Sequence, residues 1–148
     1  MPRLRSQMRT FLVVLVASIS AVLFGCKSDR DRCRSIEQTN PKADEWPIAA
    51  CDRACEAGDG VSCRHAGNHA NDIAHDGDKA RKRYERACSL GDLEGCQGQG
   101  HCLSHGIGGA VDLAGAKLAM KKACDGGFEI GCRDLGRLNA PSASASAK

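Results

Sequence analysis

The chain has 148 residues, ten cysteines and only five aromatic residues. Its length limits it to one domain, and so few aromatic side chains provide only a thin apolar core. Ten cysteines beside such a core are typical of a disulfide-stabilised protein in an oxidising compartment. The net charge of +3 comes from three arginines among residues 1 to 25, since 18 basic and 18 acidic residues follow them. Net charge therefore gives no support for nucleic-acid binding.

The N-terminus has the pattern of a secretory signal peptide, which we place at residues 1 to 25. A positive segment with Arg3, Arg5 and Arg9 precedes an apolar run over residues 11 to 24, and Gly25 precedes Cys26. The run is shorter than the roughly 20 residues that a membrane-spanning helix needs, so a permanent membrane helix is less favoured.

The segment ending at Cys26 reads Leu-Phe-Gly-Cys and resembles the lipobox of bacterial lipoproteins. The resemblance implies that Cys26 is lipidated and becomes the new N-terminus, so that acyl chains hold the protein at a membrane surface. The alternative is ordinary cleavage nearby, with Cys26 as another disulfide partner.

Three segments follow the signal peptide. Residues 26 to 43 are predicted to be a lipidated polar tether, and residues 44 to 139 a helical domain. Residues 140 to 148 have the low-complexity sequence APSASASAK. Such a tail lacks the apolar side chains to bury a core, so we expect it to be disordered.

An internal repeat organises the helical domain. Segments beginning at Ala54, Ala87 and Ala123 each read Ala-Cys, with a glycine three residues after that cysteine and a second cysteine eight residues after it. A further glycine, expected to allow close helix packing, lies four residues beyond each second cysteine, at Gly67, Gly100 and Gly136. The copies recur at 33 and 36 residues, which indicates a repeat architecture.

Each repeat unit is predicted to be helix, tight turn, helix. Apolar residues recur at i, i+4 and i+7, the spacing of one helix face; they are Ala80, Tyr84 and Ala87, then Ala116, Met120 and Ala123. We expect Asp78 and Asp112 to cap the starts of these helices. The helices should end at left-handed glycines, Gly58, Gly91 and Gly127, and Asp59 and Asp92 should cap the helices that follow.

The cysteine pairs fall where two consecutive helices meet. The first member lies in the last turn of one helix and the second in the first turn of the next, so we predict the disulfides Cys55–Cys63, Cys88–Cys96 and Cys124–Cys132. Each closes a short loop, which corresponds to about 2.5 kcal/mol in the chain-entropy model. Zinc is the competing interpretation, but the pairs lack the Cys-x2-Cys spacing of structural zinc sites.

Three cysteines remain beyond Cys26 and these six. Cys51 occupies an inward-facing helix position, so we expect Cys33 to bond Cys51 and tie the leader to the first helix. Cys102 is then a free thiol. It acts either as a small buried apolar residue or as a site of intermolecular pairing or redox reactivity.

This repeat pattern over residues 47 to 138 resembles the Sel1-like repeats of cysteine-rich bacterial secreted proteins, which are related to tetratricopeptide repeats. The resemblance implies an all-α fold: a short α/α solenoid of about three disulfide-stapled helical hairpins, wound into a right-handed superhelix with a concave surface.

The chemistry-bearing residues do not form a recognised catalytic motif. His65 with His69 and His101 with His105 are i, i+4 pairs, but no HExxH motif is present and solvated helix faces are the default interpretation. We therefore predict no catalytic, metal or cofactor site.

The sequence favours an exported, membrane-anchored scaffold that binds a protein or cell-wall ligand at the bacterial cell envelope, with no nucleic-acid partner. Lys27 after Cys26 weakly favours the outer membrane, by resemblance. The alternative is a weak β-lactam-binding or β-lactamase-like hydrolase, as described for similar repeat proteins, although the Ser-x-x-Lys and Lys-Thr-Gly motifs do not occur.

Overall fold

The computed structural model describes residues 27–39, 42 and 45–140. The predicted signal peptide, the lipidation site Cys26 and all of the predicted tail except Ala140 lie outside these residues. The described part contains seven α-helices and no β-strand, so the all-α prediction is confirmed. In chain order the helices are α1 (Asp29–Thr39), α2 (Ile48–Glu56), α3 (Gly60–Asp72), α4 (Gly77–Ser89), α5 (Leu93–His105), α6 (Leu113–Asp125) and α7 (Glu129–Asn139).

Aspartate residues cap the starts of four of these helices. Each carboxylate accepts a hydrogen bond from the backbone N–H three residues later, which satisfies one of the donors left free at a helix start. The capping residues are Asp59, Asp76, Asp92 and Asp112. The expectation that Asp78 caps α4 was wrong. Helix α4 begins at Gly77, so Asp78 already lies in its first turn.

Three tight turns join the helices within the predicted hairpins. Gly58, Gly91 and Gly127 have φ values of +93°, +89° and +92°, the left-handed conformation that only glycine adopts without strain. These turns confirm the predicted ends of α2, α4 and α6. They bring consecutive helices close enough to be joined by a disulfide.

Four disulfides connect neighbouring helices. Cys55–Cys63, Cys88–Cys96 and Cys124–Cys132 join α2 to α3, α4 to α5, and α6 to α7. Cys33–Cys51 joins α1 to α2. Disulfides of this density indicate an oxidising, extracytoplasmic environment.

Helix α1 lies in the segment that was expected to be a polar tether. Its Cys33 and Ile36 are buried, and charged residues fix its surface: Asp29 accepts two 2.8 Å hydrogen bonds from the Arg53 guanidinium. Arg34 pairs with the nearly buried Asp59 at the start of α3. The folded unit therefore begins near residue 29, ahead of the boundary predicted at residue 44.

The helices stack so that alternate helices lie on the same side of the molecule. Helix α1 contacts α3, α3 contacts α5, and α5 contacts α7, in addition to the contacts between chain neighbours. This arrangement forms a solenoid-like stack with one side made of α1, α3, α5 and α7, which we call the odd-helix side. The core consists mainly of alanine and disulfide sulfur, with Tyr84 and Met120 as its largest members.

The shared glycine of the repeat allows close packing of a neighbouring helix in two of the three units, as expected. Gly67 lies against the ring of Tyr84, and Gly100 lies against Met120, where an added β-carbon would be 2.6 Å from Cγ. Gly136 has no atom within 4 Å of such a β-carbon, so the predicted close approach does not occur there. The third unit is therefore open on this face within the described structure.

Candidate functional site

A groove between α5 and α7, on the odd-helix side, is the candidate site. It has a volume of about 360 Å³ and is lined by His101, Ser104, His105, Met120, Asp134, Arg137 and Leu138. Its walls combine aliphatic carbon with imidazole, carboxylate and guanidinium groups. Such a lining suits a polar ligand that also has a hydrophobic part.

The acidic end of the groove is held by a hydrogen-bond network. The Asp134 carboxylate accepts a 2.9 Å bond from the Gln97 amide of α5 and a 3.3 Å bond from Arg137 one turn along α7. These contacts join α5 to α7 and position the Arg137 guanidinium at the groove. About 70% of the Arg137 side chain is exposed, so it is accessible to a ligand.

Two histidines form the other wall. The ring centroids of His101 and His105 are 4.3 Å apart, and His105 Nδ1 is 3.0 Å from the carbonyl oxygen of His101. Burial lowers the pKa of His101, and the neighbouring His105 acts in the same direction, whereas Asp134 and Asp72 oppose the shift. Burial and the neighbouring His105 thus favour a neutral His101 imidazole at neutral pH. A neutral imidazole can donate one hydrogen bond and accept another.

The contact between Ser104 and His105 is the one in the groove that bears on the hydrolase alternative. Ser104 Oγ is 2.9 Å from His105 Nδ1, but the hydroxyl donates to the carbonyl oxygen of His101 at 3.0 Å. A serine nucleophile needs its own proton directed at the base, and the base held by a third group. Here the hydroxyl is bonded to its own helix, so the contact does not form a catalytic dyad.

A second polar cluster lies where α1 meets α3, on the same side of the stack. His65 is only 3% exposed, and its Nε2 is 3.3 Å from Glu37 Oε1 without the geometry of a hydrogen bond. Arg64 donates to the same carboxylate at 2.7 Å. The Trp46 ring packs edge-on to His65 at 6.3 Å and lies 6.2 Å from the ring of His69. His65 therefore departs from the solvated histidine expected from the sequence.

Electrostatics in this cluster keep Glu37 charged and His65 neutral. The hydrogen bond from Arg64 lowers the pKa of Glu37. Burial lowers the pKa of His65, with Arg64 adding to that effect and Glu37 opposing it. Arg64 also pairs with Asp92 at 3.2 Å and Glu94 at 2.9 Å, so it links three helices. The cluster is a structural clamp between α1, α3 and α5.

Cys102 is the free thiol among the described cysteines, and its side chain is 1% exposed. It packs with Ala70, Ala80 and Tyr84 in the core between α3, α4 and α5. Burial raises the pKa of the thiol, so the reactive thiolate is disfavoured. Its surroundings fit the interpretation of a small buried apolar residue.

Neither a metal site nor a membrane span is present in the described residues. No group of three or more His, Cys, Asp and Glu side chains in residues 27–39, 42 and 45–140 is arranged to hold a metal ion. No helix in the same residues is both long and apolar enough to cross a bilayer.

No protein-family model, curated protein or solved structure matches the chain. The predicted histidine pairs lie in two separate clusters, at the α1–α3 contact and in the α5–α7 groove. The sequence pattern did not indicate Asp134 or Trp46, because their partners Gln97 and His65 are distant along the chain. Arg137 was missed because its place in the groove depends on Asp134.

Proposed function

We propose that the protein is an exported scaffold that binds a protein or cell-wall ligand through the groove between α5 and α7. The observation that carries the proposal is the groove itself, where Arg137, Asp134 and the neutral imidazole of His101 are presented beside the apolar Met120 and Leu138. Rigid helices joined by disulfides hold these groups in place, which reduces the entropy cost of binding.

The export part of the proposal is supported by the disulfides and by the N-terminal sequence. Four disulfides indicate an oxidising environment. The lipobox-like segment ending at Cys26 would place the scaffold at a bacterial envelope membrane through acyl chains, with the outer membrane as the favoured destination. The resemblance of the repeats to Sel1-like repeats also supports the proposal, because stacked repeats present extended binding surfaces.

Site-specific photo-crosslinking in intact host cells tests this function. A photoreactive residue at position 104 lies in the groove, and one at position 121 lies on the exposed surface of α6 as a control. We expect a defined covalent adduct from position 104 that is absent from position 121. The adduct should be lost when the change Asp134→Ala is added, because Gln97 and Arg137 then lose their common acceptor. Equal labelling at both positions, or none at position 104, would refute the groove as the binding site.

A further inference from the structure

The end of the stack formed by α6 and α7 differs from the corresponding parts of the earlier units. Helix α4 covers the Cys55–Cys63 disulfide with Ala87, and α6 covers the Cys88–Cys96 disulfide with Ala123. Cys63 and Cys96 are 0% exposed as a result, whereas the equivalent Cys132 is exposed to solvent. Ile130 beside it is 40% exposed. No described helix covers the third disulfide.

The glycine of each unit marks where a large side chain of the covering helix fits. Tyr84 of α4 fits against Gly67, and Met120 of α6 fits against Gly100. The same place at Gly136 is empty, because nothing lies within 4 Å of the position that a β-carbon would occupy. The α6–α7 end therefore has an open position for one large side chain.

Each covering helix also donates a hydrogen bond to the first cysteine of the pair. Arg86 Nε donates to the Cys55 carbonyl oxygen at 3.1 Å, and Lys122 Nζ donates to the Cys88 carbonyl oxygen at 2.6 Å. Among the described residues, no side chain donates to the carbonyl oxygen of Cys124. The Cys124 carbonyl oxygen accepts a 2.9 Å hydrogen bond from the Gly127 N–H, as the Cys55 and Cys88 oxygens do from Gly58 and Gly91, which leaves its second lone pair for a basic side chain.

We propose that the α6–α7 end binds an amphipathic helix of a partner protein. The two covering helices define its chemistry. Both have the pattern Ala-x3-large-x-basic-Ala, which is Ala80, Tyr84, Arg86 and Ala87 in α4, and Ala116, Met120, Lys122 and Ala123 in α6. The partner helix places its large residue at Gly136, its final alanine over the Cys124–Cys132 disulfide, and its basic residue at the Cys124 carbonyl oxygen. This is recognition of an amphipathic helix by an apolar surface.

Two other occupants are less suitable. Residues 141 to 148 contain only proline, serine, alanine and lysine, so they provide neither the large residue nor the length of a covering helix. A second folded copy has the required pattern only on α4 and α6, whose patterned faces are already buried in their own stack. We therefore assign this surface to a helix of a partner protein. This surface is separate from the groove between α5 and α7.

A peptide of residues 77–89 carrying Cys88→Ser provides a direct probe, because it contains the pattern of α4. Two-dimensional NMR of the isotope-labelled full chain, purified in detergent with its disulfides intact, locates even weak binding. We expect chemical-shift changes concentrated at residues 124 to 133 and at Gly136, and none at His101 and His105 of the α5–α7 groove. Shift changes on other helices instead, or none at millimolar peptide, would overturn the proposal.

Paired variants separate recognition from folding. A peptide with the additional change Tyr84→Glu should bind at least tenfold more weakly. Gly136→Leu in the protein should have the same effect while its thermal unfolding is unchanged or shifted upward, since the added side chain enters open space. The change Glu85→Leu in the protein, at an exposed position of α4, is the matched control and should leave peptide binding unchanged. Equal binding by the Gly136→Leu and wild-type proteins would contradict the proposal, as would a dimer in sedimentation that Gly136→Leu dissociates.

Discussion

Tyr84 lies so close to Gly67 that a β-carbon added at Gly67 would be 2.9 Å from ring atoms Cδ1 and Cε1. On the other side of the ring, a β-carbon at Gly98 would be 2.6 Å from Cδ1. The ring is therefore enclosed between α3 and α5, and its hydroxyl donates a 2.8 Å hydrogen bond to Asn68 Oδ1. Two glycines allow the largest core side chain of the stack to fit between neighbouring helices.

Gly67→Ala should destabilise the protein, whereas Gly136→Ala should not. At Gly67 the extra methyl group meets an aromatic ring that is held on both sides, and overpacking of this kind costs about 1–3 kcal/mol. At Gly136 the methyl group enters open space, so the higher helix propensity of alanine should stabilise the protein by up to about 1 kcal/mol. Urea denaturation of both variants measures the difference. A similar loss of unfolding free energy in both variants would contradict this account of the repeat glycine.

The disulfide Cys124–Cys132 should be the first to be reduced. Thiol–disulfide exchange requires that a thiolate reach one of the sulfur atoms, and Cys132 is exposed whereas Cys51, Cys63 and Cys96 are 0% exposed. Limited treatment with a small thiol, followed by alkylation and peptide mass spectrometry, should label Cys124 and Cys132 before the other paired cysteines. Simultaneous labelling of all four pairs would show that reduction follows global unfolding instead.

Cys102 should resist alkylation in the native protein and react after denaturation. The thiol is 1% exposed and burial raises its pKa, so both access and thiolate formation are limited. Iodoacetamide labelling with and without guanidinium, quantified on the peptide that contains Cys102, provides the test. Rapid labelling of this peptide in the native state would instead indicate an accessible, reactive thiol.

The α1–α3 contact should weaken as the pH falls below about 6.5, the ordinary pKa of histidine. Burial lowers the pKa of His65 in the folded state, so the unfolded state binds its proton first as the pH falls. Stability is therefore full above the ordinary histidine pKa and is lost as the pH falls toward the folded value. The groups around His65 are Glu37 of α1, Arg64 of its own helix, Trp46 and Asp92 of α5. His101, whose pKa is also lowered, contributes in the same direction.

Urea unfolding between pH 7 and 5 measures this effect, and the single tryptophan, Trp46, provides a local fluorescence signal. His65→Gln should reduce the change in unfolding free energy between pH 7 and 5. The control is His75→Asn at an exposed position, which should leave that change as it is in the wild-type protein. An unchanged slope in His65→Gln would exclude His65 as its source.

Local sequence signals correctly predicted most of the fold. Glycine is the residue that adopts positive φ freely, so Gly58, Gly91 and Gly127 marked the ends of helices, and an aspartate after two of them marked the next cap. The cysteine spacing followed from the same geometry. Each of these features depends on residues within about ten positions, which makes them readable from one sequence.

Features that depend on tertiary contacts were missed. Helix α1 is too polar to show an apolar face. The Cys33–Cys51 disulfide that joins it to α2 was predicted, but its ion pairs with Arg53 and Arg64 were not. Asp76 and Asp78 are equally good caps by residue type, and the turn at His75, with φ of 52°, decides between them. The groove was not predicted because Asp134 and Gln97 are far apart along the chain.

Intact-mass analysis of the non-reduced protein, extracted from the membranes of its host, tests the proposed exported, lipid-anchored and disulfide-joined stack most directly. The chain should begin at Cys26 with acyl chains attached, and Cys102 should be its one free thiol. Proteolysis without reduction should release peptides joined as Cys33–Cys51, Cys55–Cys63, Cys88–Cys96 and Cys124–Cys132. A chain that keeps Met1, lacks lipid, or has free thiols at the paired positions would contradict it.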